Sequence, residues 1–183
     1  MRAILPVLLF CLATPAMAET SAHKAHLHRA AASHAASHGG APVAIGSFGA
    51  WQAATYKEAG QTVCYAFTRA ASSAPALRGR GDVVLTVTDR PGGLHDAVAI
   101  SAGFTYPRNA QVPVQVGATR LSFYTAQRSA FARDGRAAAA AFAKAPQAVA
   151  RSPGPRGKDI LDTFNLQGFA PAYAAMDKAC AAH

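Results

Sequence analysis

Residues 48–69, FGAWQAATYKEAGQTVCYAFTR, decide the fold of this chain because they read as two short strands joined by a turn. Gly60 closes the turn, since glycine accepts the positive φ that a hairpin loop often requires. The second strand, 62–68, places successive side chains on opposite faces. These faces carry Val63, Tyr65 and Phe67 on one side, and Cys64 and Ala66 on the other. Two orientations are open: the cysteine face toward the core with the aromatic face outward, or the reverse.

Residues 1–18, MRAILPVLLFCLATPAMA, have the three parts of a secretory signal peptide. Arg2 is the early positive charge, residues 3–13 are the apolar run, and residues 16–18 (AMA) form the cleavage site. The apolar run is too short to span a bilayer, which takes about 20 residues. We therefore expect an exported protein, periplasmic or secreted, that begins near Glu19 and has no transmembrane segment after cleavage.

Cleavage removes Cys11 and leaves two cysteines, Cys64 and Cys180. An even number of cysteines in an oxidising compartment predicts a disulfide between them, with two free thiols as the alternative. The bond would join the first hairpin to the end of the domain. In the chain-entropy model, closing a loop of this length stabilises the fold by about 4–5 kcal/mol.

Residues 19–42 are rich in Ala, Ser and His and contain almost no large apolar side chains, which predicts a disordered linker. Imidazoles at this density can bind zinc, copper or nickel. Structural metal sites normally use four well-placed ligands, however, and no cysteine or acidic residue lies among the histidines. We expect a solvated linker, with weak metal binding as the alternative. The candidate ligands are His23, His26, His28, His34 and His38.

The rest of the chain, 43–183, is expected to form a single domain in which short strands alternate with turns. A polar loop is predicted over 70–81. Helices are predicted over 137–144, with Asp134 as N-cap, and over 168–180. This order indicates a mainly β domain, a β-sandwich with one internal and one C-terminal helix, with an α+β sheet domain as the alternative. The predicted strands are 43–54, 62–68, 82–88, 96–104, 112–116, 119–125, 147–151 and 160–166.

Three short segments resemble functional motifs, and none of them supports catalysis. His95 precedes Asp96, but adjacent residues of an extended segment point to opposite faces, so His95 is predicted to be a surface loop residue. Residues 152–159, SPGPRGKD, lack the first glycine and the hydroxyl of a phosphate-binding loop. Residues 80–82 spell RGD, but Asp82 is predicted to begin a strand and not to lie at a loop tip. We expect neither an enzyme nor a cofactor.

The charge balance is basic, with 18 Lys and Arg residues against 9 Asp and Glu residues. Removing Arg2 leaves 17 basic residues against 9 acidic ones, a net charge of +8. Such a surface attracts anions, and export makes nucleic acid an unexpected partner. Ala- and Arg-rich composition of this kind often reflects GC-rich coding more than a binding site, and this is the preferred interpretation of the charge. The expected partner is an unidentified component of the cell envelope or of a host surface, and an anionic component is the hypothesis that the charge offers.

Several motifs carry a resemblance: FGAW (48–51), VCYAFT (63–68), VVLTVTDRP (83–91), LSFYT (121–125), DTFNLQGF (162–169) and the cysteine of the last helix. Through them, residues 44–180 resemble the invasion-associated locus B family of exported alphaproteobacterial proteins. The resemblance implies an immunoglobulin-like β-sandwich with no established catalytic residues. The founding members are linked to entry into host red cells, whereas many relatives occur in bacteria without that lifestyle. The implied role is therefore binding at the envelope or a host surface.

Overall fold

Ten strands and two helices follow one another in the computed structural model, which describes residues 40–90, 92–93 and 95–181. The helices are α1 (Gly135–Phe142) and α2 (Phe169–Ala181). The predicted signal peptide and the five leader histidines lie outside the described residues. No helix in the described ranges is long and apolar enough to cross a membrane. The strands are β1 (Val43–Phe48), β2 (Trp51–Glu58), β3 (Gln61–Ala74), β4 (Val84–Asp89), β5 (Ala97–Ser101), β6 (Gln111–Val116), β7 (Thr119–Ala126), β8 (Ser129–Ala132), β9 (Gln147–Pro153) and β10 (Asp159–Asn165).

All ten strands belong to one sheet, in the order β1-β2-β3-β10-β9-β6-β7-β8-β5-β4. Because β3 also pairs with β4, the eight strands from β3 round to β4 close into a barrel, and β1 and β2 extend from it. The predicted mainly β composition with one internal and one C-terminal helix is confirmed. The predicted sandwich is not confirmed, since hydrogen bonds join the strands into a single sheet and not into two separate ones.

Along one edge, strand β3 pairs first with one strand and then with another. We call the point where the second neighbour replaces the first the fork of β3. The first part of the strand pairs with β2 as far as Gln52 and Phe67. Its last part pairs with β10, beginning at Ala70. The predicted loop over 70–81 is therefore wrong for its first residues, which continue β3 as far as Ala74. Alanine and serine there give little β-propensity, and their place in a strand comes from pairing with β10.

Side-chain burial shows which face of β3 lies toward the core. Cys64 and Ala66 are fully buried, while Tyr65 and Phe67 are partly exposed. Thus the cysteine face lies toward the core. Helix α2 packs against the strands at the start of the domain, and Cys64 and Cys180 are joined as predicted, with their Cα atoms 5.8 Å apart.

The aromatic core lies between β2 and the two helices. Phe169 of α2 packs edge-on against Trp51, with ring centroids 4.8 Å apart, and against Phe142 of α1 at 5.6 Å. Asp134 caps α1 as predicted, its carboxylate accepting a hydrogen bond from the Ala137 amide at 2.9 Å.

Several predictions about strands were wrong: Asp82, predicted to begin a strand, lies in the loop before β4, and the predicted strand 96–104 ends at Ser101. The first predicted strand, 43–54, is two strands separated at Gly49 (φ 59°), and the four-residue β8 was missed.

Candidate functional site: the basic loop end

Four loops meet at one end of the barrel, because neighbouring strands are antiparallel and β3, β5, β7 and β9 all finish there. The loops are residues 75–83, 102–110, 127–128 and 154–158. Each carries at least one exposed basic side chain. We call this surface the basic loop end, and define it by Arg78, Arg108, Arg128, Arg156 and Lys158.

Carboxylates at this end do not neutralise these five cations, because each one is already in an ion pair with another arginine. Asp82 pairs with Arg69 at 3.3 Å, and Asp159 pairs with Arg151 at 3.2 Å. The third carboxylate, Asp162, is buried inside the barrel and paired there. None of the five loop cations forms an ion pair with a carboxylate of the described residues.

The size of the barrel makes these charges act together. An eight-stranded barrel with ordinary strand spacing and tilt is about 16 Å across. The Debye length at physiological ionic strength is about 8 Å, so neighbouring loop cations lie within reach of each other's fields. An anion approaching this end therefore meets the summed field of several arginines and not one isolated charge.

A buried ion pair lies beneath the loops. Arg80 donates two parallel hydrogen bonds to Asp162, Nη1 to Oδ1 at 2.7 Å and Nη2 to Oδ2 at 2.8 Å. The two side chains are 6% and 0% exposed, and Ser73 donates a further bond to Oδ1 at 2.7 Å. The Arg80 guanidinium also lies 5.0 Å from the centre of the Phe104 ring. This bidentate, fully partnered arrangement is the geometry in which a buried charge pair is tolerated.

The same arginine holds the loops together. Arg80 Nε donates to the Ala102 carbonyl at 2.7 Å, and the Gly81 amide donates to the Gly103 carbonyl at 3.3 Å. Arg128 donates to that Gly103 carbonyl as well, at 3.0 Å. Gly103 has φ 73°, and a side chain there would meet the Gly81 carbonyl. Three of the four loops, residues 75–83, 102–110 and 127–128, are therefore fixed to one another before any ligand arrives.

The RGD tripeptide belongs to this scaffold and is not displayed for adhesion. Arg80 is buried against Asp162, and Asp82 is paired with Arg69.

Within the 152–159 segment, Ser152 has a structural role, whereas Arg156 and Lys158 belong to the basic loop end. Ser152 is fully buried in β9, and its hydroxyl lies 3.1 Å from the Tyr106 hydroxyl. Burial raises the pKa of Tyr106, so its phenol stays protonated in this network.

His95 lies at the other end of the barrel, with its side chain 66% exposed, as predicted. Its Nδ1 is 4.0 Å from Asp89, and Asp89 accepts a hydrogen bond from the Asp96 amide at 2.7 Å. Tyr173 donates a hydrogen bond to the Asp96 carboxylate. Burial raises the pKa of the Asp89 carboxyl above its ordinary value. Among the described residues, no group of three or more His, Cys, Asp or Glu side chains could hold a metal ion.

Sequence reasoning found the basic charge but not its location. The missing information was which loops share one end of the barrel, and that depends on strand order. A usable signal was nevertheless present, because the turn segments that follow alternate strands each contain an arginine or a lysine.

Comparison of the chain with protein-family models, curated proteins and solved structures finds no match. The resemblance to the invasion-associated locus B family remains a prediction carried by the sequence motifs.

Proposed function

We propose that this chain is an exported, non-enzymatic binding protein of the cell envelope, of the invasion-associated locus B type. In this proposal the basic loop end contacts anionic groups of an envelope or host-surface component. The supporting observation is that five loop cations at one end have no carboxylate partner within residues 40–90, 92–93 and 95–181, whereas the described carboxylates beside them are all paired.

Arginine suits this task because its planar guanidinium binds phosphate and carboxylate oxygens through two parallel hydrogen bonds. Loops that are already ordered lose little conformational entropy on binding, so more of the interaction energy appears as affinity. The net charge of +8 expected for the exported chain adds long-range attraction to an anionic surface.

The family assignment and its immunoglobulin-like sandwich belong to the same proposal. In support, FGAW spans the end of β1 and the start of β2, VCYAFT lies in β3, and LSFYT lies in β7. The C-terminal cysteine sits on α2, opposite β3. A crystal structure tests the sandwich. Two separate sheets, with β3 hydrogen-bonded to β4 or to β10 but not to both, would support it. A closed barrel would count against it.

The binding test compares vesicles of phosphatidylcholine alone with vesicles that contain an anionic phospholipid, and also uses purified lipopolysaccharide. We expect retention on the anionic surfaces that weakens steeply as salt rises from about 50 to 200 mM, because screening shortens the range of the field. No retention at low salt, or retention that salt does not change, would remove the proposal.

A matched pair of triple variants locates the site. Arg108→Ala/Arg156→Ala/Lys158→Ala removes three charges from the basic loop end. A control, Arg120→Ala/Lys144→Ala/Lys178→Ala, removes three exposed charges elsewhere on the domain. We expect about tenfold weaker binding for the first and less than a twofold change for the second. Equal losses would mean that only net charge matters.

A second candidate function is metal buffering by the leader, which five histidines within residues 23–38 favour. Titration calorimetry with zinc and with copper would compare the chain from Glu19 with a chain from Val43. Heat released only by the longer chain would support metal buffering. Equal and negligible heats would dispose of it.

A further inference from the structure

Three aromatic rings form a continuous ladder on the outer face of β2 and β3. The Tyr56 and Tyr65 rings meet edge to face with centroids 5.7 Å apart. Tyr65 and Phe67 are stacked, also at 5.7 Å, with an interplanar angle of 26°. All three side chains are partly exposed. They lie on the face opposite Cys64 and Ala66, so none of them belongs to the barrel interior.

The ladder runs into a cleft at the fork of β3. Where β2 and β10 separate, a cavity of about 310 Å³ opens, with Gln52, Phe67, Arg69 and Asn165 among its lining residues. Asn165 Oδ1 accepts a hydrogen bond from the Gln167 amide at 2.8 Å. The Asn165 Nδ2 donor and the Gln52 side-chain amide have no hydrogen-bond partner among the described residues. The Phe67 ring therefore forms one wall of the cleft, and the side-chain amides there can both donate and accept hydrogen bonds.

Charge along this surface is balanced, in contrast to the basic loop end. At the cleft, Arg69 pairs with Asp82, and at the Tyr56 end Arg90 pairs with Glu58 at 2.9 Å. Burial raises the pKa of both ladder tyrosines, so their phenols are neutral. A strongly anionic ligand gains little from such a surface. An uncharged ligand rich in hydroxyl groups finds both donors and acceptors.

We propose that the ladder and the cleft bind an uncharged segment of a sugar chain. The flat face of a pyranose ring presents C–H groups, which pack on the electron-rich faces of aromatic rings. Its rim carries hydroxyl groups, each of which donates and accepts, matching the Gln52 and Asn165 amides and the Arg69–Asp82 pair. One sugar ring would enter the cleft and stack on the face of Phe67 that Tyr65 does not cover, and the neighbouring sugar residues would contact the exposed edges of Tyr65 and Tyr56. This site borders the basic loop end at the Arg69–Asp82 pair but contains none of the five cations that define that end, and it does not depend on the function proposed for it.

The test uses titration calorimetry with uncharged hexasaccharides of glucose, mannose, galactose and N-acetylglucosamine, together with hexagalacturonate as a charged probe. We expect binding of at least one uncharged hexasaccharide, with less than a twofold change between about 50 and 500 mM salt, because no net charge is involved. No binding by any uncharged probe would overturn the proposal. Binding of hexagalacturonate alone, abolished by salt, would also overturn it.

Variants then assign the binding to the ladder. Phe67→Ala should weaken it about tenfold or more, and Phe67→Tyr should restore it, because the ring face is what stacks. Tyr124→Ala is the matched control, since Tyr124 is 42% exposed on β7 and lies outside the ladder. Circular dichroism checks that each variant is folded. Binding that survives Phe67→Ala in a folded protein would overturn the proposal.

Two further measurements separate this inference from other occupants and from the proposed function. If light scattering finds a dimer that Phe67→Ala converts to a monomer, a second copy of the chain covers the ladder and the proposal is wrong. We expect no such change. The basic-loop-end triple variant should bind the hexasaccharide as well as the unaltered chain does. Either binding activity can thus fail while the other remains.

Discussion

Both ends of the barrel carry exposed cations without an ion-pair partner among the described residues, but the two ends differ in their carboxylates. The helix end has carboxylates outside the ion pairs of the described ranges, such as Asp134 and Asp177, whereas every described carboxylate of the loop end is paired with an arginine.

At the end that holds the helices, several polar side chains have hydrogen-bond partners within the fold. Asp134 caps α1. Asp89 accepts a hydrogen bond from the Asp96 amide, and Tyr173 donates one to the Asp96 carboxylate. At the basic loop end, Arg80 and Asp162 are partnered beneath the surface, while five cations above them have no carboxylate partner among the described residues.

The difference separates stability from binding. Polar groups that are satisfied internally hold the chain in shape, and their removal should lower the free energy of unfolding. Exposed cations without partners add little to stability, since even exposed ion pairs contribute only about 0–1 kcal/mol. We therefore expect a ligand at the surface where such cations lie on loops that the Arg80 and Arg128 hydrogen bonds hold in place.

The largest expected effect concerns the buried pair of the loop end. Asp162→Ala leaves the Arg80 guanidinium buried without its carboxylate, and we expect a loss of about 3–5 kcal/mol in the free energy of unfolding. Urea denaturation measures it. The control is Asp159→Ala, which breaks an exposed pair and should change stability by less than about 1 kcal/mol. Similar losses in the two variants would mean that burial does not distinguish them.

The second effect concerns the helix end. The double variant Cys64→Ala/Cys180→Ala removes the link between β3 and α2, and we expect a loss of about 2–4 kcal/mol in the free energy of unfolding. Binding to anionic vesicles should be unchanged in the folded variant, because the basic loop end is at the opposite end. Weakened vesicle binding at full folding would show that the two ends are coupled.

The smallest effect is a pH dependence at Asp89. Burial raises the pKa of this carboxyl above its ordinary value of 3.8, so the folded state favours the neutral acid. That contribution to stability is fully present below pH 3.8 and is lost as the pH rises through the raised pKa of the folded state. Asp89→Asn keeps an acceptor for the Asp96 amide but cannot ionise. Relative to the unaltered chain, it should therefore gain stability as pH rises from about 4 to 7.

Urea denaturation at three pH values in this range measures the effect. Charges facing Asp89 also include His95, Asp96 and Asp177. The comparison is therefore repeated with His95→Gln in both chains, so that the imidazole does not contribute to the difference. A stability difference that stays constant with pH would show that Asp89 does not titrate abnormally.

Local pattern was enough to predict much of the fold. The hairpin around Gly60, the Asp134 cap and the Cys64–Cys180 pair were all predicted, because each depends on a few neighbouring residues or on cysteine number. The extension of β3 to Ala74 and the short β8 were not, because their pairing partners are distant in sequence. Closure of the sheet into a barrel follows from β3 pairing with both β4 and β10, which no local pattern encodes.

The candidate sites follow the same rule. Net charge is a property of composition, so the attraction to anions was predicted. The presence of Arg108, Arg128 and Arg156 at the same end depends on which loops share an end of the barrel. The aromatic alternation of Tyr65 and Phe67 was visible in the sequence, but the cleft beside Phe67 exists only because β2 and β10 diverge there.

Trp51 provides an intrinsic fluorescent reporter beside the fork of β3. It is the one tryptophan of the chain, it is fully buried, and its indole N–H donates to the Asn165 carbonyl at 3.0 Å. Since Asn165 also lines the cleft, a molecule entering there alters the surroundings of the only indole that fluoresces. Intrinsic emission can therefore follow occupancy of the cleft without a label, and a separate red shift on unfolding distinguishes binding from loss of structure.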